Sequence, residues 1–351
     1  MKTKQEDVIF GRGTAINPAN RFEQIKIEKN EDLETFEMIS PKTEFFKDQT
    51  KSFITYNDSP DLGFAAGINP YRGCEHGCVY CFARPYHEYL GFSIGLDFET
   101  KILVKENAPE ILRKELMAKR WQPQVIALSG ATDCYQPVER KLQITRKCLE
   151  VLNEFRNPVC IITKNRLVTR DIDLLKQMNG YKGAAVFISV TTLDRKLAGV
   201  MEPRASRPQD RLRTIQMLSE AGIPVGVLVS PVIPGLNDHE IPLILKECAQ
   251  AGAQFAGYII LRLPFAVKDL FTQWLTQHFP DRKNKILNRI LDIRGGKLND
   301  PNFKSRMKGQ GIFAENIANL FYVAKKRVGL YTKGLELSVE HFERPAGKQL
   351  L

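Results

Sequence analysis

Three cysteines fall within eight residues of this chain: Cys74, Cys78 and Cys81 in the stretch GCEHGCVYC. No other feature restricts the fold as much, because thiols this close point to a metal, catalysis or a disulfide. The amino terminus, MKTKQEDVIFGRG, lacks the apolar core of a secretion signal, so the expected setting is the reducing cytoplasm. There, clustered cysteines serve metals or catalysis more often than disulfides. The other cysteines, Cys134, Cys148, Cys160 and Cys248, are scattered singly, so a second metal cluster is not expected. Thiolates suit iron–sulfur clusters and zinc. Structural zinc takes four ligands, usually as two separated pairs, and His76 and His87 would have to complete such a site. A 4Fe–4S cluster on three cysteines instead leaves one iron open to a substrate or cofactor. Gly73 and Gly77 let the backbone wrap closely around it.

Of the 351 residues, 43% are hydrophobic and 26% charged, which predicts a packed globular core. No apolar run approaches the roughly 20 residues that span a bilayer, so no membrane partner is expected. Residues 1–63 are polar, with turn signals at INPAN and NDSPDLG, and read as an N-terminal extension. Over 64–280, apolar runs alternate with helical segments. Strands are expected at 64–68, 125–129, 158–163, 185–190, 224–229 and 257–261. Helices are expected at 109–119, 142–155, 170–178, 208–221, 240–251 and 267–278. Short Val- and Ile-rich strands alternating with helices predict an α/β fold, a parallel sheet with helices outside. Chemistry in such folds gathers at the C-terminal ends of the strands. Residues 281–351 read as a basic C-terminal extension packed on this domain.

The C-x3-C-x2-C spacing, with the aromatic Tyr80 before the last cysteine, resembles the signature of radical S-adenosylmethionine (radical SAM) enzymes. The resemblance implies a 4Fe–4S cluster on Cys74, Cys78 and Cys81, whose open iron binds the amino and carboxylate groups of S-adenosylmethionine (SAM). Reductive cleavage then yields methionine and a 5′-deoxyadenosyl radical. It also implies that the six βα units form a partial (β/α)6 TIM-type barrel. The strand-end phrases LSGATDCYQP, IITKN, FISVTTLD with MEPRASRP, and VLVSPVIPG are similar to those of spore photoproduct lyase and its photolyase-like group, over residues 65–265. Residue by residue, this brings Ala131, Thr132 and Asp133 to the lyases' Thr-Ser-Asp triplet and Lys164 to their lysine. Ser189 meets a serine, Glu202–Pro203 a Glu-Pro pair, and Ser230 an alanine.

The implied roles are physically sensible. Lys164 is a compact cation suited to the cofactor carboxylate. Asp133, or carbonyls near it, would accept from the cofactor ammonium, with helix capping as the alternative. Ser189 and Ser230 would contact ribose or carboxylate, Tyr80 the adenine, and Arg204 either the cofactor or Glu202. The lyases place a hydrogen-donating thiol just before the last two residues of the triplet, where this chain has Gly130–Ala131. Cys134 stands beyond Asp133 instead and is the candidate hydrogen donor, with Tyr135 a candidate relay; an inert packed thiol is the alternative. His87 reads as a structural histidine, His76 as solvent-facing, and Arg12 and Arg21 as capping or clamp residues.

The formal net charge is +11, and residues 281–333 hold thirteen Lys or Arg against four Asp or Glu. Such basic concentration suits phosphate contacts with DNA or RNA, and a lesion would have to be flipped into the barrel mouth. The expected function is therefore a lyase-like, DNA-repair-type radical SAM enzyme on nucleic acid, drawing electrons from a reductant such as flavodoxin or ferredoxin. Two alternatives stand beside it: a radical SAM enzyme modifying a small molecule, tRNA or peptide, and a non-catalytic zinc- or iron–sulfur-binding interaction protein.

Overall fold

Six parallel strands carry the molecule: β1 (Ala66–Ile68), β2 (Ile126–Leu128), β3 (Val159–Thr163), β4 (Ala184–Ser189), β5 (Val225–Val232) and β6 (Phe255–Ile260). The computed structural model describes residues 9–22, 42–331 and 335–345, so parts of both expected extensions lie outside the described residues. Each strand pairs with the next in chain order. Ala66 lies opposite Ile126, Ile126 opposite Val159, Val159 opposite Ala184, Val186 opposite Val225 and Gly226 opposite Phe255. Helices follow the strands in turn: α1 (Ala108–Met117), α2 (Ile144–Glu154), α3 (Ile172–Asn179), α4 (Pro208–Glu220), α5 (Ile241–Gln250) and α6 (Val267–His278). This is the expected partial (β/α)6 barrel. Sequential parallel order follows from right-handed crossovers through short connections. The strands read as apolar runs because both of their faces are covered.

The sheet does not close. Its order runs from β6 at one edge to β1, where the short strand Thr55–Tyr56 adds antiparallel at the far edge. A second, three-stranded sheet (Glu44–Lys47, Lys101–Val104 and Tyr71–Arg72) flanks the cysteine loop. Two further helices, α7 (Lys283–Ile293) and α8 (Gly311–Arg327), pack against the end of the barrel: α7 lies against α6, and α8 against α5 and α7. The segment between them reaches across the open seam. Arg306 pairs with Asp61 at 2.6 Å, the Lys304 backbone N–H donates to Asp61 at 2.6 Å, and Asn299 accepts from the Leu263 N–H at 3.2 Å.

The main core lies between strands and helices around Leu128, Leu149, Val186, Val227 and Leu245. A second core gathers Val79, Tyr80, Met201, Leu263, Phe271 and Trp274. The cysteine loop is therefore part of a hydrophobic core and not a surface appendage. Among the described residues, no helix is long and apolar enough to cross a membrane.

Candidate functional site

The loop leaving β1 carries Cys74, Cys78 and Cys81 to the C-terminal end of the barrel. Cys74 and Cys78 are buried and Cys81 is partly exposed. The Val79 N–H donates to the Met201 carbonyl at 3.2 Å, and the Cys74 N–H to Phe98 at 2.9 Å. A single side chain braces the loop from within. Arg84, fully buried, donates from Nε to the Cys78 carbonyl (3.0 Å), from Nη1 to Ile94 (3.0 Å) and Gly95 (2.9 Å), and from Nη2 to Glu99 Oε1 (2.6 Å). Glu99 is itself fully buried, and its other oxygen accepts the Gly13 N–H at 3.0 Å. At Gly13 the N-terminal segment crosses the loop so closely that an added Cβ would stand 1.7 Å from the Gly77 carbonyl oxygen. Only glycine fits there. Arg12 donates to the Glu99 carbonyl at 3.1 Å, which gives it the clamp role expected of it. Arg21 pairs with Glu88 at 2.6 Å.

The donor set fits a cluster. Burial pushes all three thiols up, and the neighbouring sulfurs add to this at Cys74 and Cys78. Opposing it, backbone N–H groups of Asp133 at Cys74, and of Ala83 and Arg84 at Cys81, favour the thiolate, as does the Lys164 cation near Cys78 and Cys81. Hydrogen bonds to sulfur are a main means of tuning an iron–sulfur centre. Among the described residues no three His, Cys, Asp or Glu converge on one ion. The two histidines are turned elsewhere. His87 is buried, its Nε2–H donating to the Lys101 carbonyl at 3.0 Å. His76 was expected to face solvent; the structure corrects this, with 1% exposure. Its Nδ1 lies 3.4 Å from Asp133 and its Nε2 takes the Asn165 amide at 3.1 Å. A histidine neighbouring two buried cysteines was drawn inward by an acceptor and a donor that only the fold supplies.

Asp133 ties the segment after β2 to the end of β3. Oδ1 accepts from the Thr163 hydroxyl (2.8 Å) and the Tyr135 N–H (2.9 Å), while Oδ2 accepts from the Lys164 N–H (2.8 Å). With His76 added, its carboxylate is occupied, so the acceptors left for an ammonium are carbonyls beside it. Asn69 Oδ1 accepts the Ala131 and Thr132 N–H groups, and Thr132 Oγ1 donates to the Tyr71 carbonyl at 2.7 Å. Lys164 extends its ammonium over the Tyr80 ring, 5.9 Å from the centroid. The Tyr80 hydroxyl bonds Glu202, which also accepts from Thr191 at 2.6 Å and pairs with Arg211. Burial opposes ionisation of Glu202, but Arg211, Lys164 and these hydroxyls hold its carboxyl down at about 2. Arg211 also donates to the Ser189 carbonyl at 3.0 Å, and Thr191 to the Ser230 carbonyl at 3.3 Å. Arg204 pairs with Glu75 of the cysteine loop at 3.0 Å and not with Glu202, which takes Arg211.

The Cys134 and Tyr135 side chains lie in the main core, both at 0% exposure. Tyr135 donates to Asp171 at 3.1 Å, and the Cys134 N–H and carbonyl are held by Ser129 and Thr145. Arg84, Glu99, Thr191 and Arg211 were not anticipated. Arg84 and Glu99 follow the cysteine motif closely in the sequence, whereas Thr191 and Arg211 lie far from it and carry no such signal.

One consequence concerns pH. Burial lowers the His87 imidazole to about 4, against an unfolded value of about 6.5. Below pH 6.5 the unfolded chain takes up a proton that the folded protein refuses, so stability falls as pH drops from about 6.5 towards 4. Urea denaturation across this window should show the fall, and His87→Gln should flatten it. An unchanged slope would separate His87 from the effect.

A family model described as the radical SAM superfamily matches residues 68–248. An uncharacterized protein of Mycobacterium tuberculosis is 33% identical over 250 residues, covering 70% of this chain and 72% of that protein. An uncharacterized protein of Methanocaldococcus jannaschii is 27% identical over 251 residues, covering 72% and 90%. The radical SAM Nalpha-GlyT isomerase of Pseudomonas phage M6 is 28% identical over 183 residues, covering 52% of this chain but 36% of that enzyme. Among solved structures, spore photoproduct lyase in complex with dinucleoside spore photoproduct superposes with a TM-score of 0.58 at 17% identity, covering 82% of this chain and 80% of that one. At that identity the superposition speaks for the fold.

Proposed function

This chain belongs to the radical SAM superfamily, and from that premise we propose that Cys74, Cys78 and Cys81 hold a 4Fe–4S cluster for SAM cleavage directed at a nucleic acid. The observation that carries the reading is the three-thiol loop without a fourth cysteine beside it among the described residues, its sulfurs met by backbone N–H groups. When bound, such a cluster supplies an electron for opening the sulfonium and one open coordination position. The chain's residues then bind and orient. Lys164 pairs with the cofactor carboxylate, carbonyls beside Asp133 accept from its ammonium, and the Ser189 and Ser230 strand ends face its ribose. Glu202 and Arg211 hold Tyr80 and two strand ends in place, and the second core keeps water from the loop. Electrons come from a flavodoxin- or ferredoxin-type donor in a reducing cytoplasm.

The nucleic-acid substrate is supported by the basic stretch 281–333 and by the neighbour solved with a dinucleoside lesion. The test is anaerobic reconstitution with iron and sulfide, then dithionite and SAM, followed by assay for 5′-deoxyadenosine. Roughly four irons per chain, as a cubane requires, and product formation are expected. A chain that takes up zinc alone and leaves SAM intact sinks the reading.

Two further outcomes are expected. Lys164→Ala should weaken SAM binding by about ten-fold or more, since a charge-assisted hydrogen bond contributes about 1.5–3 kcal/mol; an unchanged dissociation constant in the reconstituted enzyme would remove Lys164 from the site. For Cys134 the packing favours a structural role over hydrogen donation. Cys134→Ala should cost about 1 kcal/mol in urea denaturation and leave the ratio of 5′-deoxyadenosine to substrate product unchanged. A shifted ratio would restore the donor role.

A further inference from the structure

One edge of the barrel mouth carries an unusual set of exposed rings and guanidinium groups. Phe82 directly follows Cys81, and Tyr86 and Tyr89 follow on the short helix Arg84–Leu90. Phe265 lies just beyond β6, and Phe303 lies on the segment that crosses the open seam. Tyr86 and Phe265 are each 56% exposed and Phe303 is 52% exposed. Rings this large and this open mark an interaction surface when they gather. They do gather, around arginines. Arg21 lies 3.7 Å from the Phe265 ring centre, Arg262 lies 5.4 Å from Phe82, and Arg306 lies 4.5 Å from Phe303.

Arg262 is the odd member. Arg21 and Arg306 have carboxylate partners, Glu88 and Asp61. Arg262, two residues past the end of β6, forms no ion pair among the described residues, and its only hydrogen-bond contact is to the Met307 sulfur at 3.9 Å. Its Nε is buried with no hydrogen-bond partner. A buried donor left unmatched costs free energy and calls for an explanation. Burial and the neighbouring Arg306 press against its charge, Tyr86 and Asp61 offset them only in part, and an incoming anion would relieve the rest.

We propose that this rim is the substrate seat: Arg262 receives a backbone phosphate of a single or flipped-out nucleic-acid strand, and Phe265 and Phe303 stack its flanking bases. The proposal rests on the nucleic-acid reading above and deepens it by assigning the contact to one edge of the mouth. Interleaved rings and cations are what sequence-tolerant strand binding requires, since every base has a stacking face and every phosphate a charge.

The experiment is fluorescence anisotropy with labelled single-stranded oligothymidylate, on the full-length cluster-loaded protein, over a salt series. Arg262→Gln should weaken binding about ten-fold and reduce the slope of log affinity against log salt by about 0.7, the value for one phosphate on a single strand. Arg262→Lys keeps the charge and should keep the slope. Phe265→Ala with Phe303→Ala, both exposed and so tolerated by the fold, should weaken binding about ten-fold or more with the slope unchanged. Lys326→Ala with Arg327→Ala, at the far end of α8, is the comparison. If wild type binds and the rim variants bind equally well, or only the α8 variant loses affinity, the rim proposal is overturned while the nucleic-acid reading stands. If wild type binds no strand at all, both fall.

Discussion

Replacing Cys78 with alanine is expected to abolish 5′-deoxyadenosine formation and to cut the iron retained after reconstitution. Cys78 sits mid-loop, its carbonyl gripped by Arg84 and its flanking Val79 fixed to Met201. The loop geometry will therefore survive the loss of one sulfur. What disappears is one of three anchoring thiolates, and the scattered cysteines offer no substitute, because Cys134, Cys148 and Cys248 are buried in the main core. Cys74→Ala and Cys81→Ala should behave alike. Cys148→Ala, in the interior of α2, should retain both iron and product. Product from Cys78→Ala at the wild-type rate would refute the cluster assignment.

Glu99→Ala should be the most damaging single change to the folded state. It strips the partner from Arg84, a cation with no exposed surface, and releases the Gly13 N–H as well. Breaking a buried pair from one side typically costs about 3–5 kcal/mol, because the remaining charge stays buried and unmatched. Total stabilities lie at about 5–15 kcal/mol, so the midpoint of urea unfolding should fall steeply. Glu99→Gln, which keeps the shape and an acceptor, should cost less. If both variants melt like wild type, Arg84 has found another acceptor and the brace is not essential.

Much of the barrel is legible in the chain. The strand at Val159–Thr163 matches the expected 158–163, and the helix Val267–His278 matches to the residue. These elements are readable because burial on both faces forces continuous apolar runs, and because amphipathic helices repeat at their own period. The small sheet beside the cysteine loop was not legible. Its strand Glu44–Lys47 is exposed along its length, so no alternation distinguishes it from a loop. The cysteines declared themselves by spacing alone, whereas their supports did not. Arg84, Glu99 and Arg211 are charged types that nearly always lie at the surface, and pairing across the fold is what lets them sink. Arg204 illustrates the limit. Two residues from Glu202 in sequence, it faces Glu75 in space, and Arg211 takes its place nine residues on.

The tie between Asp61 and Arg306 joins residues 245 positions apart, and Gly13 reaches Glu99 across 86. Contacts of such sequence separation are the slow ones to find, because the chain must lose the freedom of a long loop before they return anything. The strands from β1 to β6 pair with partners nearer in the chain, Ala66 with Ile126 and Val159 with Ala184 among them, and need a shorter search. The barrel should therefore assemble first, with its mouth still unfinished at the two places where distant segments must meet. Those same places, the last to be tied, are where the native protein should open most readily without unfolding. Hydrogen exchange at the Lys304 and Gly13 amides, faster than at the amides of β3 and β4, would be the mark of that order.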